Sequence, residues 1–201
     1  MQLWTVQPYN VYETLTATGI YKCNPHLSSL LEEDSFINAY KWISNEMKNR
    51  VGNPSADITF PVWAWYRVDG KNRRPDMRTI GMRVFEESVL MEIEIQDNKV
   101  LLSDFDHWHL VLNDGIFYKA SLLENISSEE WELETDKEDV YYENLSDEEK
   151  ITYKENSWKN IFSPDIVSRS AYVQATFWEL EKEQIKKVWK LKGYHKNKYM
   201  L

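Results

Sequence analysis

Two runs of aromatic and β-branched residues constrain this chain most. Phe60-Pro-Val-Trp-Ala-Trp-Tyr-Arg-Val68 reads as a strand, with Trp63 and Trp65 on one face and Ala64 and Tyr66 on the other. Tyr172-Val-Gln-Ala-Thr-Phe-Trp-Glu-Leu180 reads as a second. There Gln174, Thr176 and Trp178 alternate with Val173, Ala175, Phe177 and Glu179. Such strands demand a sheet, and the rest of the chain must pack against it. The spacing predicts a short strand over 3–6, then a helix over 9–18, opened by Pro8 and closed by Gly19. A second helix over 36–50, capped by Ser35, carries Phe36, Ala39, Tyr40, Ile43 and Met47 at the helical period. Residues 77–84 read as extended. Residues 88–95 and 99–102 read as a β-hairpin through Gln96-Asp-Asn98, and 105–112 as a short helix capped by Ser103 or Asp104. Residues 185–191 read as a short strand or a helical turn. The expected class is α+β: a single domain over 1–201 with a mixed or antiparallel sheet and packed helices. A polar, acidic stretch of helix and loop is inserted around 116–165, with helix starts at Ser127 and Ser146. Trp158, Ile161 and Phe162 are suited to pin it to the core.

The formal charge is −9, which disfavours a broad electrostatic grip on duplex nucleic acid. It leaves room for a small nucleotide held by a few local cations, or for a protein partner. Residues 124–149 are strongly acidic and 182–198 strongly basic, which reads as two solvated faces that attract one another. A single cysteine, Cys23, forms no intrachain disulfide and no cysteine-based zinc site. Neither a signal peptide nor a membrane span is recognisable, so the expected location is cytoplasmic.

The densest polar tract is Leu101-Leu-Ser-Asp-Phe-Asp-His-Trp-His109, and groups of this kind are rarely buried unless paired or used. Placed on a helix, His107 and His109 point in different directions, so no metal site is expected. Asp104 is the expected cap, and Asp106 and His109 are acid–base candidates. Arg67 and Arg78 are the arginines best placed to hold a phosphate, ahead of Arg73 and Arg74. Gln174, Thr176 and Trp178 suit either a site wall or an edge strand facing water. Thr5 and Gln7 share a face of the first strand, with a capping role for Gln7 as the simpler alternative. No glycine-rich phosphate loop and no nucleophile elbow is present.

Four blocks carry a resemblance: Leu3-Trp-Thr-Val-Gln7, Phe60-Pro-Val-Trp-Ala-Trp-Tyr66, Leu101-Leu-Ser-Asp-Phe-Asp-His-Trp-His109 and Gln174-Ala-Thr-Phe-Trp178. Together they resemble domain-of-unknown-function family 3841, which implies a bacterial or phage origin. The layout is also similar to ADP-ribosyltransferase-like folds. In those folds a first strand carries a polar anchor, a helix ending in Gly follows, and a late strand carrying an acid or Gln precedes a turn and a last strand. Thr5, Gly19 and Gln174 occupy the similar positions. The anchor there is usually His or Arg, where this chain has Trp4-Thr5. The late residue is usually Glu, where it has Gln174, or Glu179 on the other face.

This likeness implies an NAD-using transferase acting on a macromolecular target. In it Trp63, Trp65 or Trp178 stacks on a base, Arg67 or Arg78 holds the pyrophosphate, and Gln174 or Glu179 steadies the cation at the ribose. The alternatives are a non-catalytic interaction module that uses its acidic segment, and a hydrolase built on Asp104, Asp106 and His109.

Overall fold

The computed structural model describes residues 1–23, 34–55, 57–77, 87–123 and 125–191. Its centre is the first strand, β1 (Gln2–Pro8), which lies between β3 (Val62–Arg67) and β4 (Ser88–Glu94). With β5 (Leu101–Asp104), β6 (Val173–Phe177) and β8 (Ile185–Leu191) these form a six-stranded sheet of order β5-β6-β3-β1-β4-β8. Every described pairing in it is antiparallel. A two-stranded ladder joins β2 (Ile20–Lys22) to β7 (Glu179–Glu181). The fold is α+β, as its residue patterns predict, with 185–191 resolved as a strand.

Alternation divides the sheet's side chains between two cores. Leu3, Val62, Ala64, Val89, Met91, Ile93, Ala175 and Phe177 gather on one face with Leu15 of α1 (Tyr9–Thr18) and Leu180 of β7. On the other face, Leu101 and Trp178 pack with Ala39, Trp42, Ile43 and Met47 of α2 (Asp34–Arg50). Trp108 and Val111 of α3 (Phe105–Leu112) join the same cluster. So do Trp158 of α5 (Asp147–Trp158), the adjoining Ile161 and Phe162, and Ile166 of α6 (Pro164–Arg169). Trp42 is central here, edge-on to Trp158 at 5.4 Å and stacked on Phe162 at 5.5 Å. Rings this large bring much buried area with few rotatable bonds.

The helix α1 ends where Gly19 takes φ 85°, a left-handed cap. The helix α2 already includes Ser35, so that residue lies inside the helix and not ahead of it. Both α4 (Ser128–Glu143) and α5 start with full capping boxes, Ser127 with Glu130 and Ser146 with Glu149. Buried Glu138 fastens this pair of helices. It accepts from the Lys119 backbone N–H at 2.9 Å and the Tyr153 hydroxyl at 2.5 Å.

Three expectations are corrected. The 88–95/99–102 hairpin does not form: β4 pairs with β1 and β8, while β5 lies at the opposite edge beside β6. The connection holds a single 3-10 turn, Asp97–Lys99, flanked by extended Gln96 and Val100. It lacks the positive-φ residues that reverse a chain within two residues, so it carries the chain across the sheet end. The strand predicted over 172–180 breaks at Trp178, where β7 leaves the main sheet to pair with β2. Among the described residues the basic segment meets β4 through β8 and not the acidic helices: Lys186–Glu94 lie at 3.0 Å, Lys187–Glu92 at 3.5 Å and Lys190–Glu87 at 3.2 Å, while 192–198 lie outside the described residues. Among the described residues no helix is long and apolar enough to cross a membrane.

Candidate functional site

One row of side chains crosses the sheet on the face that carries α2 and α3. Ser103 lies across from Gln174, Gln174 from Trp65, Trp65 from Trp4, Trp4 from Glu92, and Glu92 from Lys187. Strand spacing puts Ser103 and Trp4 roughly 14 Å apart. Trp63 follows two residues along β3 on the same face, across from Thr176. Four polar atoms on these positions are buried without a hydrogen-bond partner among the described residues: Ser103 Oγ, Gln174 Oε1, Trp4 Nε1 and Trp63 Nε1. Burying such a group unpaired costs about 1–3 kcal/mol. Two side-chain oxygens and two indole N–H groups without a partner thus lie along neighbouring strands on one face of the sheet. Glu92, 8% exposed, adds a carboxylate to the row.

The other candidates fall into distinct places. Thr5 and Gln7 share the face of Leu3, opposite the row. Thr5 Oγ1 donates to the Trp63 carbonyl at 2.8 Å and accepts from Gln7 Nε2 at 2.9 Å. Gln7 therefore caps no helix; α1 has no side-chain cap. Thr176 is fully buried in an interior strand and donates to the Leu101 carbonyl at 3.3 Å. Trp178 is anchored through Nε1 to the Gly52 carbonyl at 2.8 Å. Of that strand face only Gln174 keeps an atom without a partner among the described residues. Trp65 is buried against Phe105, ring centres 4.8 Å apart, and Trp63 lies 4.9 Å from Trp108. Glu179 sits on the separate β2–β7 ladder and accepts from Ser55 Oγ at 2.9 Å.

Arg67 is committed to the backbone. One nitrogen donates to the carbonyls of Val167, Ser168 and Ser170 at 2.8–3.0 Å, closing the C-terminal end of α6. Arg78 lies outside the described residues. Arg73 and Arg74, ranked behind Arg67 and Arg78 in the sequence, line a cleft of about 770 Å³ together with Lys71, Leu90, Trp189 and Leu191.

Asp104, not Ser103, caps α3, accepting from the His107 backbone N–H at 2.7 Å. The same oxygen lies 2.6 Å from His107 Nδ1. Burial pushes the Asp104 carboxyl up, but hydrogen bonds from His107 and Ser170 and the imidazole's charge outweigh it, and the net direction is down. His107 is therefore the histidine with a carboxylate partner. His109 is exposed and bonded to the Phe105 carbonyl at 3.0 Å, and Asp106 is exposed. No hydrogen bond joins Asp106 to His109 among the described residues. Trp4, Glu92 and the place of Ser103 in the row escape sequence reasoning because cross-strand neighbours lie up to about 100 positions apart in the chain; the Asp104–His107 pair, three residues apart, is a local contact legible in the sequence.

Two outcomes follow from this geometry. Ser103→Ala deletes a hydroxyl that has no partner, so urea unfolding will show stability unchanged or raised by up to about 1 kcal/mol; a clear loss means the hydroxyl is bonded. Asp104→Asn will cost about 1–2 kcal/mol near neutrality. The lowered carboxyl contributes its stability above the unfolded Asp value of about 3.9 and loses it as pH falls through the folded value. The wild-type and variant stability curves therefore converge below about pH 4, and a pH-independent gap contradicts the assignment.

Comparison with curated proteins and comparison with solved structures each return no match. A family model described as "Domain of unknown function (DUF3841)" matches residues 2–186, nearly the whole chain and all four sequence blocks. The chain belongs to that family.

Proposed function

We propose that this protein binds an NAD-class dinucleotide and acts as an ADP-ribosyltransferase-type enzyme on a macromolecular target. The observation that carries the reading is the row of partnerless polar atoms on Ser103, Gln174, Trp4 and Trp63. It lies on β1, β3, β5 and β6, and of these the resemblance implies β1, β3 and the late strand β6 as ligand-binding strands. Gln174 Oε1 and Ser103 Oγ suit the amide N–H of a carboxamide or a ribose hydroxyl, and the two indole N–H groups suit an oxygen acceptor. Glu92, in the same row, supplies the negative charge that steadies a ribosyl cation, a role for which Glu179 on its separate ladder is poorly placed. In the transfer, the ribosyl C1′–N bond breaks and its electron pair leaves with nicotinamide. A target nucleophile then bonds to C1′ and releases its proton to solvent. Such a site works by orientation and electrostatics and needs no strong nucleophile of its own.

Calorimetric titration with NAD and ADP-ribose tests the reading. NAD binds the wild type, and Gln174→Ala weakens it about 3–10-fold, the loss of one hydrogen bond. Absence of NAD binding at millimolar concentration ends the proposal.

A second reading, an interaction module for a basic protein, is favoured by one observation. Residues 128–158 hold twelve of the 33 carboxylates and three of the 24 lysines and arginines, which accounts for the whole charge of −9. Among these acids Trp131, Leu133, Val140, Tyr141 and Ile151 are exposed. A partner captured from cell extract through this surface is lost on charge reversal at Glu129 and Glu132, and at moderate salt. A capture indifferent to both removes the module reading.

A further inference from the structure

We infer that the cleft between residues 69–77 and the β4–β8 corner of the sheet is a site for a compact diphosphate, of the kind carried by a nucleoside diphosphate. Its floor is apolar, with Val68, Leu90, Trp189 and Leu191 in the lining. Leu90 lies across from Trp189 on the face of the Glu92–Lys187 pair, so the cleft adjoins the polar row. Its rim is cationic. Lys71, Arg73 and Arg74 fall within four positions, and none pairs with a carboxylate among the described residues. Elsewhere Arg50, Lys137, Lys150, Lys154, Lys186, Lys187 and Lys190 hold carboxylates, and Arg67 holds carbonyls. The two carboxylates in the lining are both engaged: Asp69 accepts from the Tyr172 hydroxyl, and Asp76 has a partner too.

The rim is also built to hold its shape. Val68 and Lys71 exchange two backbone hydrogen bonds, at 3.1 and 3.0 Å, across a tight turn. Asp69 at φ 51° and Gly70 at φ 70° supply the left-handed conformations this turn needs. The Gly70 N–H is tied to the Ala171 carbonyl at 2.9 Å, and Pro75 is buried. Arg74's guanidinium lies over the Trp189 ring, 4.9 Å from its centre, which holds the planar donor fork in a fixed attitude. Two arginine forks and an ammonium match the oxygens of two linked phosphates. A volume of about 770 Å³ holds a nucleotide and not merely an inorganic ion. The overall charge of −9 repels a long polyanion and selects for a compact one. The inference deepens the dinucleotide reading and rests on it for the identity of the rest of the ligand.

Calorimetry with ADP, adenosine and NAD at low salt, on wild type and on the Arg73→Ala/Arg74→Ala double variant, decides the matter. Both arginines are exposed, so the double variant folds, with a melting temperature lowered at most by loss of the Arg74–Trp189 contact. ADP is expected to bind, adenosine to bind at least ten-fold more weakly, and the double variant to lose ADP affinity at least ten-fold. Trp189→Leu, which removes the platform and keeps every charge, weakens ADP to a lesser degree. Equal affinity for ADP and adenosine, or equal ADP affinity in wild type and double variant, overturns the site. If NAD binds both proteins alike, the dinucleotide reading stands and the cleft is not its phosphate site. If ADP binds through the arginines and NAD does not bind, the cleft stands and the transferase reading falls.

Discussion

The pairing of β1 with β4 is the constraint on which the rest of the molecule depends. It runs unbroken over seven residues, from Gln2 opposite Glu94 to Pro8 opposite Ser88. Because side chains alternate, this one register decides that Leu3 enters one core while Trp4 faces α2 and α3. A slip by a single residue would exchange them. Both faces of β4 are buried over most of its length, so the slip has no solvated alternative. Thr5 locks the third strand to the same register by donating to the Trp63 carbonyl, a bond across the sheet that helps set where Trp63 and Trp65 stand. The centre of the polar row, on β3, β1 and β4, thus exists because these strands, distant in sequence, are held in one alignment.

Local signals in the sequence are strong where a structure is made by neighbours in the chain. The helix α3 has its expected bounds, Phe105–Leu112, because Asp104 and the His107 N–H are three residues apart. The same holds for α4 and α5, whose Ser-x-x-Glu boxes close within one turn. Signals fail where a partner comes from far away. The segment after β4 looks like half of a hairpin by composition, yet β5 finds its pair in β6, about 70 positions downstream. Arg67 reads as a phosphate ligand at the end of an aromatic strand, but its acceptors are carbonyls 100 or more residues on. Arg73 and Arg74 show the reverse: nothing in their immediate sequence reveals the cleft that β4 and β8 complete. Of the tract at 101–109, the cap is legible and the Ser103–Gln174 adjacency is not.

The polar row also explains a tension in the core. Most of the face toward α2 and α3 is closed by tight aromatic contacts: Tyr40 meets Phe60, Trp63 and Trp108 edge-on at 5.7–5.9 Å. Such packing leaves little room for water to satisfy a stray indole or amide. Unsatisfied atoms in that setting lower stability.

The segregation of charge onto the α4–α5 hairpin has a mechanical consequence. With residues 128–158 set aside, the rest of the chain carries 21 acids and 21 bases. The molecule is then a neutral body with a charged handle, and in the field of another macromolecule it feels a torque as well as a pull. It turns before it touches, bringing the handle toward any cationic surface. The hairpin governs orientation at encounter through its position, whatever contacts it later makes.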